Sequence, residues 1–148
     1  MKITALEEYG LRCMILFSQA PEGMLTLPEI SSKEGLSLPY AGKLLMRLKK
    51  AGLVRAVRGR NGGFILCRPA DKIYLKEILS GLGDALYGSH HCDRYSVDEK
   101  ICRHHDNCKV GTLWGYFNRH IQSIIEKVTL ADIAAGKLDF PRLEKIQT

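Results

Sequence analysis

No stretch of this 148-residue chain approaches the roughly 20 apolar residues that a membrane-spanning helix needs. Common catalytic signatures are missing too: there is no G-x-S-x-G, no phosphate-binding P-loop, no H-E-x-x-H and no carboxylate pair with an obvious pocket. The N-terminal MKITALEEYGLRCMILF carries acids where a secretory signal needs an uninterrupted apolar run. These absences lead to the expectation of a cytoplasmic protein that is not an enzyme and does not engage a membrane. Structural disulfides are uncommon in that compartment, and an odd number of cysteines, five, fits this view. Low-complexity tracts are lacking as well, and a hydrophobic content of 45% is enough for the packed core of one domain with an appended helix.

The most informative absence is of acids. From Gly35 to Ala70 there is no Asp or Glu, while Lys43, Arg47, Lys49, Lys50, Arg55, Arg58, Arg60 and Arg68 supply eight positive charges. Set against a formal net charge of +6, those eight leave the rest of the chain at −2. A basic lobe on a mildly acidic protein points to a polyanion, and nucleic acid is the partner of that chemistry.

The hydrophobic pattern organises the same region. Leu6, Gly10, Cys13, Met14 and Phe17 recur at helical spacing over residues 4–20, and Pro21 stops the run. Thr26-Leu-Pro-Glu29 has a capping hydroxyl, a first-turn proline and an acid three residues on, opening a short helix that ends by Gly35. Ser37-Leu-Pro-Tyr repeats the device for a second helix running to Ala51, with Leu44, Leu45 and Leu48 inward and Gly52 as its C-cap. Two β-rich segments follow, Leu53–Val57 and Phe64–Cys67, joined through Asn61-Gly62, a strong hairpin signal. A helix-turn-helix followed by a basic hairpin is a winged helix. The expected fold is therefore mainly α with a small β-wing. Tyr74–Leu86 adds a further helix, and Leu113, Phe117, Ile121, Ile124, Ile125 and Val128 mark a long late helix whose apolar stripe suits a two-fold dimer seam. The expected organisation is a DNA-binding unit over 1–87, a ligand-rich loop over 88–109, a dimerisation helix over 110–128, and a short helix and tail over 129–148.

Second helices of this type enter the major groove with their N-terminal residues at base edges. Ser37, Pro39, Tyr40 and Lys43 occupy those positions, with Arg47 and Lys50 further along and suited to phosphates. Arg58 and Arg60 sit in the Gly-rich wing, a shape that can slide a guanidinium into the minor groove.

Residues 90–108, HHCDRYSVDEKICRHHDNC, hold three of the five cysteines and four of the five histidines. That density marks a metal site or a redox switch. Cys13, on an apolar helical face, and Cys67, in a short strand, are assigned to packing. Trp114, close to Cys108 in sequence, is assigned to shielding the loop from solvent.

The chain resembles the iron–sulfur-sensing winged-helix regulators typified by IscR, NsrR and RirA. The resemblance spans nearly the whole length. It is carried by the opening MKIT with Tyr9-Gly-Leu-Arg12, by G-L-S-L-P-Y over 35–40, by K-A-G-L-V-R-A-V-R-G-R-N-G-G-F over 50–64, and by Thr129-Leu-Ala-Asp-Ile133. It implies a homodimer that binds a double-stranded DNA operator under the control of an iron–sulfur cluster, 2Fe–2S or alternatively 4Fe–4S. Residue by residue, Cys92, Cys102 and Cys108 match the family's cysteine ligands, and thiolates are the usual ligands of such iron. The pattern departs in two places. Nine residues separate Cys92 from Cys102, more than in IscR, and Gly111 stands where IscR-like members have a histidine three residues after the third cysteine. The fourth ligand is then Glu8 of the partner subunit, placed where nitric-oxide- and redox-sensing relatives have an acid, or His104 or His105 within the loop, or a small thiol or water. Three alternatives remain: a structural zinc site on the same cysteines and one histidine, a metal-free thiol switch, and a cluster-carrying electron-transfer or scaffold protein whose basic lobe binds another protein.

Overall fold

A computed structural model of the protein describes residues 3–60, 62–83 and 108–138. Helix α1 (Ala5–Gln19) starts from a reciprocal capping box: the Thr4 hydroxyl accepts from the Glu7 N–H at 3.2 Å, and the Glu7 carboxylate accepts from the Thr4 N–H at 2.8 Å. Its buried face is Glu7, Gly10, Cys13, Met14 and Phe17; the last four are as the spacing predicts, while the expected Leu6 is half-buried and Glu7 takes the buried place through its cap. A two-residue strand, β1 (Met24–Leu25), leads into α2 (Leu27–Glu34), capped by Thr26 with Glu29 and carrying its proline in the first turn. Gly35, at φ 64°, turns the chain in the left-handed region open to glycine. Helix α3 (Leu38–Lys50) follows behind Ser37 and buries Ala41, Leu44, Leu45 and Leu48.

The C-cap of α3 is Ala51 rather than Gly52. Gly52 is the next residue, at φ 72°, and its N–H bonds the Lys49 carbonyl while the Leu53 N–H bonds that of Leu48. This is a Schellman termination, in which the glycine stands just outside the helix and frees the chain to turn directly into the wing.

Strands β2 (Val54–Val57) and β3 (Gly63–Leu66) form an antiparallel hairpin, with Val54 opposite Leu66 and Val57 opposite Gly63. Strand β1 pairs with the other edge of β3, so the sheet order is β1-β3-β2. This third strand has no counterpart among the expected elements; two residues between a turn and a helix cap are too few to show alternation.

A 3-10 turn over Ala70–Lys72 precedes α4 (Leu75–Leu82). Helix α4 ends at Leu82 with Gly83 as its C-cap, short of the expected Leu86, and residues 84–86 lie outside the described set. Two close approaches seat it: a Cβ on Gly10 would lie 2.2 Å from Leu82, and one on Gly81 would lie 2.5 Å from the Ala51 Cβ. Only glycine lets α4 nestle between α1 and the end of α3.

Helix α5 (Lys109–Ile125) leads into α6 (Leu130–Ala134), which Thr129 and Asp132 cap. Leu130 is fully buried in the same core as Met14, Leu44 and Ile78. The Leu130 N–H bonds the Ile73 carbonyl at 2.8 Å and the Leu75 N–H bonds that of Val128 at 2.9 Å, so the chain returning from α5 is stitched to the start of α4. No described helix is long and apolar enough to cross a membrane.

Candidate nucleic-acid interface and cysteine centre

The winged helix-turn-helix sets α3 beside the β2–β3 hairpin. The cap hydroxyl of Ser37 accepts from the Tyr40 N–H at 3.4 Å, and Pro39 occupies the first turn, where its missing N–H costs nothing. Ser37, Pro39, Lys43, Arg47 and Lys50 are exposed. Tyr40 is half-buried, its ring meeting that of Tyr9 edge-on at a centroid distance of 6.1 Å. The hydrophobic contact fixes the orientation of the first turn of α3 against α1.

Two of the eight cations in the acid-free window are engaged within the protein. Arg47 donates through Nη1 to the Leu82 carbonyl at 3.1 Å, joining α3 to the last turn of α4. Arg68 bonds both carboxylate oxygens of Glu77 at 3.1 Å, which neutralises it. Lys43, Lys49, Lys50, Arg55, Arg58 and Arg60 have no hydrogen-bond or ion-pair partner among the described residues. Arg58 and Arg60 belong to the wing, whose turn is closed by a 3.0 Å bond from the Gly62 N–H to the Gly59 carbonyl. Asn61 lies outside the described residues, so Arg60 is the described side chain at the tip.

Among the expected metal ligands, Cys92, Cys102, His104 and His105 also lie outside the described residues. Cys108 is the N-cap of α5, half-buried, with a free thiol whose sulfur accepts the Gly111 N–H at 3.1 Å. An N–H···S bond at the positive end of a helix stabilises charge on sulfur, so this thiol fits a ligand of an iron–sulfur group. Glu8 is exposed and pairs with Arg12 at 2.7 Å, while its neighbour Glu7 is buried in the Thr4 capping box. Among the described residues, no three of His, Cys, Asp and Glu converge on one point.

Cys13 is fully buried, and burial pushes its thiol up to about 12, the behaviour of a packing residue. Cys67 departs from expectation: it lies one residue beyond β3 and is exposed. Phe64 and Leu66 pack against the core, and successive side chains along an extended chain point to opposite faces, so Cys67 is turned outward. On α5, Val110, Leu113, Trp114, Tyr116 and Phe117 are all 43–61% exposed. The Trp114 and Phe117 rings pack against each other at 6.1 Å, forming an apolar surface on the N-terminal half of the helix.

Residues 3–136 match the family Rrf2, described as an iron-dependent transcriptional regulator. The chain belongs to the Rrf2 family. It is 32% identical over 140 residues to the HTH-type transcriptional regulator IscR of Xenorhabdus nematophila, covering 93% of this chain and 81% of that protein. Among solved structures it is similar to IscR of T. potens, with a TM-score of 0.73 and 30% identity over 92% of this chain and 88% of that one. CymR, the global cysteine regulator of B. subtilis, has a TM-score of 0.72 and 27% identity, over 93% of this chain and 98% of that one. This Rrf2 protein is thus a DNA-binding transcriptional regulator rather than an enzyme, and its fold is a winged helix.

Proposed function

We propose that this Rrf2 protein works as a homodimer whose affinity for its operator is set by an iron–sulfur cluster, 2Fe–2S in the first instance and 4Fe–4S as the alternative. Cys92, Cys102 and Cys108 hold the group, with Glu8 of the partner subunit as fourth ligand and His104 or His105 as the other candidates. The observation that carries this is Cys108: its sulfur sits at the start of α5 with a backbone N–H already directed at it. When bound, the group supplies reversible redox chemistry and a site that oxidants or nitric oxide can attack. A carboxylate ligand is the labile one, and Glu8 can exchange its Arg12 partner for another cation at the protein surface.

The chain's own contacts give a route from the loop to DNA. Residues 84–107 follow directly on Gly83, and the neighbouring Leu82 carbonyl is held by Arg47 of α3. Leu82 is also wedged onto Gly10 of α1. The cluster-bearing segment is thus joined in sequence to the last turn of α4, which bears on both helices that orient the DNA-reading surface. Helix α3 enters the major groove with Ser37, Pro39, Tyr40 and Lys43 at base edges. Lys50 and the remaining N–H groups of Arg47 meet phosphates, and Arg58 and Arg60 enter the minor groove. The exposed Val110, Leu113 and Phe117 of α5 contribute to the dimer seam.

The test is anaerobic purification with a visible spectrum and iron and sulfide counts on wild type, Glu8→Ala and Cys108→Ala. A coloured wild type, an oxidant-labile Glu8→Ala and a colourless Cys108→Ala are expected. A colourless, iron-free wild type overturns the proposal, and one zinc per chain with oxidant-indifferent DNA binding replaces it with a structural zinc site. The likeness to CymR favours one second reading, a metal-free thiol switch among the loop cysteines; mass spectrometry of the oxidised protein detects that bridge.

A further inference from the structure

Helix α3 presents a second set of residues to solvent that its polar side chains overshadow. Leu38 is 49% exposed and Met46 is 61% exposed, the largest value among the exposed large hydrophobic residues of the DNA-binding unit. Single exposed apolar residues are ordinary. These two, however, are eight residues apart on one helix, and the residue midway between them on the same stripe is Gly42. Met46 shares a shallow depression with Lys43, Arg47, Lys49 and Lys50, so an apolar stripe runs through the most basic surface described.

Gly42 has no reason inside the protein to be glycine. Gly10 and Gly81 are pressed onto Leu82 and Ala51, and Gly35 and Gly52 adopt positive φ. A Cβ on Gly42 would meet only Leu27, at an ordinary 3.9 Å, and its backbone is helical. Glycine in a helix interior is destabilising relative to alanine, so this position gives up stability with no packing gain in return. The remaining use of a missing side chain is close approach by something outside the chain.

The geometry points to Leu38, Gly42 and Met46 as specificity-determining residues that read thymine C5-methyl groups in the major groove, with Gly42 at the point of closest approach. In that groove the methyl group is the one apolar feature that distinguishes a base edge. An apolar stripe bordered by Lys43, Lys49 and Lys50 combines methyl contacts with flanking phosphate attraction. The inference rests on the proposal that α3 enters the groove, and goes beyond it by naming which base feature is read and by which side chains.

The experiment selects operator duplexes from a random-sequence pool with the full-length protein, then replaces each selected thymine by deoxyuridine, which removes only the methyl group. Wild type should lose about four-fold in affinity per contacted methyl, the equivalent of ~0.8 kcal/mol per buried carbon. Met46→Ala should lose the thymine-over-uracil preference at one or more positions. Gly42→Ala should melt about 2–4 °C higher yet bind the selected duplex at least ten-fold more weakly, with non-specific binding unchanged. Lys43→Ala is the control for docking: it should weaken binding while leaving the thymine-to-uracil ratio intact. A wild-type ratio near one at every position, with Lys43→Ala still weakened, overturns methyl readout alone. A Gly42→Ala that is both more stable and equally tight overturns the closest approach. Binding indifferent to every α3 variant, or a pool that enriches no sequence, overturns the docking proposal and this inference together.

Discussion

The DNA-binding unit and helix α5 are built from similar residues but resolve their apolar surface in opposite ways. In the unit, α1, α3, α4 and α6 turn Met14, Phe17, Leu44, Leu48, Leu82 and Leu130 onto one another, each at most 2% exposed. Helix α5 has no fully buried residue, and its N-terminal half carries Val110, Leu113, Trp114 and Phe117 in the open. Its far end is fastened through Lys76 to Glu126 at 2.6 Å and the Leu75–Val128 backbone bond. The first region completes its core within one chain. The second keeps large apolar side chains exposed among the described residues, and this is the surface proposed above as the dimer seam.

The largest effect that can break this comparison is in the core. Phe17→Ala should cost about 3–5 kcal/mol of unfolding free energy, read by urea denaturation. An equal loss from Phe117→Ala would show that the two regions are not different in kind.

The next effect is at the proposed seam. Trp114→Ala and Phe117→Ala should each weaken self-association by about 2 kcal/mol, roughly 30-fold in Kd, with the fold of the protomer retained. Sedimentation over a concentration series, alongside circular dichroism, separates the two outcomes. Unchanged association would leave the α5 face without the role proposed for it.

Within the basic window a finer contrast holds between free and engaged cations. Arg60→Ala should weaken operator binding about ten-fold and reduce the dependence of log affinity on log salt by about one unit. Tyr40→Ala should also weaken specific binding, since it loosens the contact that orients α3 on Tyr9. Arg68→Ala, whose charge is already matched by Glu77, should leave the salt slope unchanged. Equal slopes for Arg60→Ala and Arg68→Ala would show that charge alone, without placement, governs the affinity.

The smallest expected effect concerns the caps. Hydrogen bonds from Thr129 hold the Asp132 carboxyl below its ordinary range, and those from Thr26 do the same for Glu29. A folded pKa below the unfolded one means that the stabilisation is present above the ordinary carboxylate range and is lost as pH falls through the folded value, that is, below about pH 4. Thermal melts of Asp132→Asn should accordingly show a flatter acid limb than wild type.

Local chemistry made much of the fold legible. Thr4, Thr26, Ser37 and Thr129 each start a helix where their hydroxyls can cap it, and the 44/45/48 spacing identifies the buried side of α3 before any contact is known. The fate of individual charges was not legible. Glu7 and Glu8 are adjacent acids in one first turn, yet one is buried in a cap and the other is exposed beside Arg12, because successive helical positions point about 100° apart. Arg47 and Arg68 are alike in the sequence as positive charges of the acid-free window; Leu82 and Glu77, 35 and 9 residues away, each take up part of their hydrogen-bonding capacity. Strand β1 exists because β3 offers it an edge, not because two residues declare it.

The sequence by itself determined the helices, their caps, the wing and the basic surface, because capping, periodicity and turn chemistry act over a few residues. Tertiary structure alone decided which cations are engaged inside the protein, that Leu130 joins the core, and that a side chain at Gly42 would meet only Leu27 at an ordinary distance. Each of these depends on which distant backbone or side chain arrives at a given surface, and pairwise proximity across the chain is a property of the packed molecule rather than of any one segment.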